Sequence, residues 1–328
     1  MDSIKKTLGK NPLIKKIYFW NQNRKEFLYD KKFFLSNYFH SEGDTKEKNG
    51  YNILLIAHSL EKAMINKNPR RFGIEKVNNL IELIERYESN NFDTDDFAYI
   101  VGINILREYT EFYKKRGWQD TDEYIKVFNF LKTKEKIEKV NLATEYFRYS
   151  NEKKIDYFEF VKSRHSIREF QSKKLHEKDV EKAMEAVLFS PTACNRQMCK
   201  VYYVKDDQKA KKIIALAQGF GGFEKETINL FVVTFDVSAN YFIGERNQGW
   251  LNTGLVSMNF VNALHSLGIG SCFCQFGNSS EDEETVKRII GAKKSERVGV
   301  LIAAGYYPDN VAITKSPRKS LKDVYKVV

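Results

Sequence analysis

The chain has 328 residues, with 54 Lys and Arg against 43 Asp and Glu, a formal charge of +11, 42% hydrophobic and 14% aromatic residues. This is the profile of a folded globular protein long enough to bury one large core or two ordinary ones, and 5 prolines and 18 glycines exclude collagen-like and low-complexity classes. The charge is spread evenly, +5 over 1–150 and +6 over 151–328, with no basic tail, so no nucleic-acid partner is expected.

The N-terminal stretch MDSIKKTLGKNPLIKK lacks the apolar core and small-residue cleavage site of a signal peptide. No run reaches the length of a membrane span, since the most apolar one, 298–307, is interrupted by Gly299 and Gly305. Four cysteines in a chain this long are not a disulfide framework, and the expected compartment is the cytoplasm. Region 1–150 reads as all-helical. Ile74, Val77, Leu80, Ile81 and Ile84 recur at helical spacing. Asp93, Thr94, Asp95 and Asp96 offer caps to a second helix carrying Phe97, Ile100, Val101, Ile105, Tyr109 and Phe112 to near Gly117. A third helix follows Thr121 through Tyr124, Val127, Phe128 and Leu131. His58 and Glu61 share a helical face, the spacing of a metal or acid/base pair; with no third ligand in view, a structural ion pair is expected. The lysines of 132–139 are balanced by Glu135 and Glu138 and read as a solvated helix face.

Region 151–328 changes character. Helical patterns at 156–162, 177–189, 252–267 and 282–290 alternate with β-rich runs at 201–204, 230–235 and 299–304. Such alternation predicts an α+β or α/β domain built on a central sheet.

Four blocks of this region carry chemistry. Residues 163–170, SRHSIREF, pack two arginines, a histidine and two hydroxyls into a turn-sized segment after a short amphipathic helix. Two arginines four apart with a serine between them suit a phosphate, through charge-assisted hydrogen bonds; taken alone, the block is equally a basic helix end. Residues 190–197, SPTACNRQ, close an apolar helix with small residues and amides, which read the polar edge of a flat heterocycle or simply terminate the helix. Residues 264–272, LHSLGIGSC, end a long helix, and Ala303 to Pro308 lead toward KSPRK at 315–319. Cys272 and Cys274 are expected to be buried small residues rather than metal ligands, and no metal site is expected.

In this order and combination the blocks resemble the nitroreductase family, from about residue 155 to 328. The resemblance implies an FMN-dependent oxidoreductase with an α+β sandwich, a mostly antiparallel sheet flanked by helices, and an interlocked homodimer with FMN at the subunit interface. It matches Arg164, His165, Ser166 and Arg168 to the phosphate and ribityl segment, and Pro191, Thr192, Ala193, Asn195 and Gln197 to the loop near the flavin, the first three from the neighbouring subunit. Cys274 and Gln275 fall beside the ring, and Arg318 closes on the phosphate. Phe276 replaces a family glycine, and Met198-Cys199 replaces the usual Pro-Trp. Residues 219–224 lack the Asn and Lys that serve the ring's pyrimidine edge in some members, which leaves that edge to another donor. The implied activity is ping-pong hydride transfer from NADH or NADPH through FMN to a small oxidised acceptor, a nitroaromatic or quinone in vitro. No general acid stands out among Tyr241, Tyr306 and water. The rival readings are an enzyme of this fold acting on a dedicated metabolite or carrier-bound substrate, and a redox-silent interaction protein using the helical region.

Overall fold

The computed structural model describes residues 12–64, 71–140, 156–221, 223, 228–277, 279–311, 313 and 320–328. The expected boundary at 150 lies outside them, as does Arg318. Helices α1 (Pro12–Asn37), α2 (Lys46–Met64), α3 (Ile74–Ser89), α4 (Phe97–Lys114) and α5 (Asp122–Lys132) come first. The starts of α4 and α5 follow from their caps: Asp96 accepts from the Ala98 N–H at 3.2 Å and Thr121 from the Tyr124 N–H at 3.4 Å. From α2 to α5 the apolar stripes meet in one core around Ile53, Leu60, Leu80, Ile84, Tyr109 and Val127. Each such fully buried side chain stabilises by about 1.5–3 kcal/mol. On α2, His58 Nδ1 and Glu61 Oε2 lie 2.8 Å apart, a hydrogen bond on the shared helical face.

The second half continues with α6 (Tyr157–Ser163), α7 (Glu177–Leu188), β1 (Cys199–Val204), α8 (Asp207–Leu216), β2 (Asn229–Asp236), α9 (Gln248–Ser266), β3 (Gly270–Cys274), α10 (Ser280–Ile290), β4 (Glu296–Gly305) and α11 (Leu321–Val324). The strands form an antiparallel sheet in the order β1-β2-β4-β3. The inner strands β2 and β4 are covered on both faces, which is why they read as continuous apolar runs, while the edge strand β1 is half-buried. Leu230 and Val232 face a layer with Ile213 and Val286 of α8 and α10, while Phe231 and Val233 face Ala183 and Phe260 of α7 and α9. The register slips between Val233 and Thr234, leaving Gly299 as the extra residue of a bulge in β4. A Cβ there would come within 2.5 Å of the Thr253 side chain, so the bulge lets α9 approach the sheet.

Strand β3 was not legible as a strand; the sequence reading ran 264–272 as the tail of a helix. Its residues, GSCFC, are too few and too small to show a period, and pairing with β4 decides their conformation. Helix α1 has no buried residue and takes no part in the helical core. It lies instead on the second half. Arg297 of β4 pairs with Asp30 at 2.9 Å and Glu283 at 2.7 Å and lies over the Phe33 ring. Tyr29 Oη donates to Glu284 at 2.6 Å.

The loop between α7 and β1 is held by Arg196, whose side chain is 1% exposed. Its guanidinium donates to Glu245 at 2.6 and 2.9 Å and, through Nε, to the Ala193 carbonyl at 3.0 Å, and it also reaches the Ala239 carbonyl. Burial pushes the Glu245 carboxyl up, but the Arg196 hydrogen bonds and the Phe242 and Tyr241 amides outweigh it and hold it below the ordinary range. Among the described residues, no helix is long and apolar enough to cross a membrane. Glu245→Gln would leave a buried guanidinium short of its counter-charge, and a loss of about 3 kcal/mol is expected in urea unfolding at pH 7. Because the folded carboxyl is depressed, this stabilisation is present above the unfolded value near 4.3 and lost as pH falls through the folded one. The wild-type and variant stabilities should therefore converge in acid.

Candidate anion site at the sheet edge

Strand β3 is an edge strand, and its free edge is taken by the segment after α6. Ser166 forms a parallel bridge with Ser271, and the Ile167 N–H donates to the Ser271 carbonyl at 3.0 Å. Ile167 and Phe170 then bury their side chains in the core below. The Ser166 side chain bonds to the Cys272 thiol beside it, while Arg168 is exposed. Arg168 Nη1 folds back to within 3.5 Å of the Ser166 carbonyl.

A cavity of about 200 Å³ opens here, lined in part by Arg164, His165, His265, Ser271 and Tyr307. Its electrostatics are one-sided, for among the described residues no Asp or Glu lines it. Two neighbours register the positive field. The Cys272 thiol is drawn down by hydrogen bonding with Cys274 and, against burial, by Arg168, Ser166 and Arg164. The His265 imidazole is pushed down by burial and then by Arg164 and His165. Of the four residues of the arginine-rich segment, Arg164 and His165 line the cavity, whereas Ser166 and Arg168 do not line it and act on the neighbouring Cys272 thiol. Such a donor set suits a phosphate monoester, because both guanidiniums stay charged and the hydroxyl and imidazole add hydrogen bonds.

The second predicted cluster forms its own turn. Cys194, Asn195 and Gln197 all have positive φ, near 50°, a left-handed conformation that costs side-chain-bearing residues energy. The turn is tied by the Gln197 N–H donating to Thr192 Oγ1 at 3.0 Å and by Gln197 Nε2 donating to Asn195 Oδ1 at 3.3 Å. Pro191, Asn195 and Gln197 are exposed, and Thr192 and Ala193 half-buried. None of them lines the cavity beside Arg164. Gln197 instead borders a cavity of about 310 Å³ shared with Lys46, Tyr51, Phe97 and Lys293, between the helical region and the sheet domain.

Cys274 was expected beside a ring. Strand alternation sends its side chain, with that of Cys272, into the core, where it is 1% exposed and its thiol donates to the Cys272 carbonyl. Any contact from this position is left to its backbone, while Gln275 is exposed. The Gly219 N–H donates to the Gln275 carbonyl at 3.2 Å, and a Cβ on Gly219 would lie 2.2 Å from the Gln275 nitrogen. That close approach requires glycine at 219. Ser271, Tyr307 and His265 were missed as lining residues. Only His265 left a signal, as the lone ionisable side chain of its helix.

Residues 161–306 match the model of the nitroreductase family. A relative from Methanothermobacter thermautotrophicus, provisionally named an NADH dehydrogenase/NAD(P)H nitroreductase, is 24% identical over 157 residues, 48% of this chain and 80% of that protein. One of the same name from Archaeoglobus fulgidus is 24% identical over 150 residues, 45% of this chain and 84% of its own. Among solved structures, a nitroreductase family protein from Streptococcus pneumoniae aligns with a TM-score of 0.45 and 22% identity, covering 53% of this chain and all (100%) of that one. An FMN-dependent nitroreductase from Clostridium difficile aligns with a TM-score of 0.43 and 18% identity, over 51% and 97%. Behind an N-terminal helical region, residues 161–306 of this chain are similar to the nitroreductase family.

Proposed function

We propose that the protein is an FMN-dependent oxidoreductase that passes hydride from NADH or NADPH to a small oxidised acceptor in a ping-pong cycle, working as a cytoplasmic homodimer. The observation that carries this reading is the cavity at the edge of β3, which Arg164 and His165 line with no carboxylate among the described residues, while Ser166 and Arg168 act on the neighbouring Cys272 thiol. When bound, FMN supplies the redox chemistry; the chain binds and orients it. Arg164 and Arg168 neutralise a phosphate, and Ser166, fixed by its bridge to β3, sets the position of the donors. Gln275, at the end of the same strand, and the strained turn at Asn195 and Gln197 supply amides for the polar edge of a ring. Arg318 remains part of this proposal as a further phosphate contact.

A homodimer is supported by α9. Its inner face is buried on the sheet, while Leu251, Leu255 and Met258 are 58, 39 and 37% exposed along the outer one. Gly254 lies among them with open space where a Cβ would be, which permits close approach of a second helix. The alternative of a dedicated substrate is favoured by the cavity at Gln197, since the helical region supplies most of its wall.

Flavin bands in the purified protein and release of FMN on denaturation are expected, followed by NADPH oxidation with a quinone acceptor. A colourless protein that takes up no flavin would sink the reading in favour of a redox-silent interaction role. Arg164→Ala should weaken FMN binding roughly ten- to hundredfold, the worth of about 1.5–3 kcal/mol for hydrogen bonds to a charged group, and leave riboflavin binding nearly unchanged. Leu255→Asp should convert the dimer to monomer in analytical ultracentrifugation; an unchanged mass would place the interface elsewhere.

A further inference from the structure

His265 stands apart from the rest of α9. The helix, QGWLNTGLVSMNFVNALHS, carries no other ionisable side chain, and His265 sits half-buried in its last turn. Its Nε2 lies 2.8 Å from Ser163 Oγ, its ring packs against Phe160 with centroids 5.0 Å apart, and the Phe160 carbonyl is a further partner. Ser163 Oγ donates its own proton to the Phe160 carbonyl at 2.9 Å. The hydroxyl therefore accepts from His265 Nε2–H, and Nδ1 is left to take a second proton. Through Ser163 the imidazole grips the end of α6, the residue before Arg164.

The groups facing His265 are few. From α6 come Ser163 and the Phe160 carbonyl; from the segment after it come the Arg164 guanidinium and His165; Tyr307 follows β4, and among the described residues no carboxylate lines the cavity. Burial first, and then Arg164 and His165, disfavour the charged imidazole while the cavity holds no anion. A phosphate monoester, with a charge near −2, reverses that field.

We propose that His265 is a positioning residue of this site, taking up a proton as a phosphate monoester enters and locking Ser163 and the Arg164 segment onto it. The inference rests on the phosphate reading of the cavity and assigns to α9 a role in cofactor retention. The sign follows from linkage. The imidazole binds more protons in the complex than in the free site, so affinity for FMN rises as pH falls between the two titrations, by at most tenfold per unit. Riboflavin, without the phosphate, should show no such slope.

The test is flavin binding by the full-length chain stripped of flavin, followed by fluorescence between pH 6.5 and 8.5, above the second ionisation of the phosphate near 6. Wild type should bind FMN several-fold more tightly at pH 6.5 than at 8.5; His265→Gln should flatten that slope, and His165→Gln should keep it. A slope that survives in His265→Gln, or disappears in His165→Gln alone, overturns the proposal. Calorimetry of wild type in buffers of different ionisation enthalpy reads proton uptake directly, independently of how the variants fold, and zero uptake at pH 7 would also overturn it. If wild type prefers FMN to riboflavin at no pH, the phosphate reading itself fails, which is a separate outcome.

Discussion

The parallel bridge between Ser166 and Ser271, with the Ile167 amide donating to the Ser271 carbonyl, closes the outer edge of β3. An unpaired strand edge invites association with another chain, and here the segment after α6 occupies it. The same contact sets the chemistry. Once Ile167 is seated in the core, Ser166 lies beside the Cys272 thiol, and the end of α6 is drawn to the last turn of α9. A cavity lined by cations and hydroxyls is the result, assembled from segments about a hundred residues apart in sequence.

A second device acts on the turn that holds Asn195 and Gln197. Its left-handed residues are costly, and they persist because Arg196 beneath them is buried and bonded to Glu245 and to two carbonyls. A buried guanidinium is a poor way to gain stability, since desolvation offsets most of the attraction. It is effective at specifying one geometry. The helical region presses on this turn from the other side, so its packing and the shape of the cavity at Gln197 are linked.

Much of the architecture was legible because burial leaves a periodic trace. Val77, Leu80 and Ile84 announce α3, Asp96 and Thr121 announce the starts of α4 and α5, and the apolar runs at 201–204, 230–235 and 299–304 announce three strands, the inner two covered on both faces. Elements without that trace were not legible. GSCFC shows no period, and α1 buries no residue, so its place on the second half follows from Arg297, Asp30 and Phe33 meeting in space. Within the site, the composition of 163–170 pointed to an anion, and Cys274 is the buried small residue its type suggested, which leaves only its backbone for the ring contact the resemblance implied.

The opening excess of cations is mostly surface, paired across helices in contacts such as Lys205 with Glu177 and Lys174 with Asp207. What the amino-acid sequence determined by itself is local: which residues carry charge, which stripes must be buried, where helices are capped, and that an arginine-rich segment precedes a sheet. Periodicity and side-chain chemistry act over a few residues, and they can be read there. What the tertiary structure decided is convergence. Strand pairing brings Ser271 to Ser166, helix packing brings His265 to Ser163, and among the described residues no carboxylate lines the cavity at that junction. These are contacts between distant parts of the chain, held by burial and backbone hydrogen bonding that no local pattern encodes.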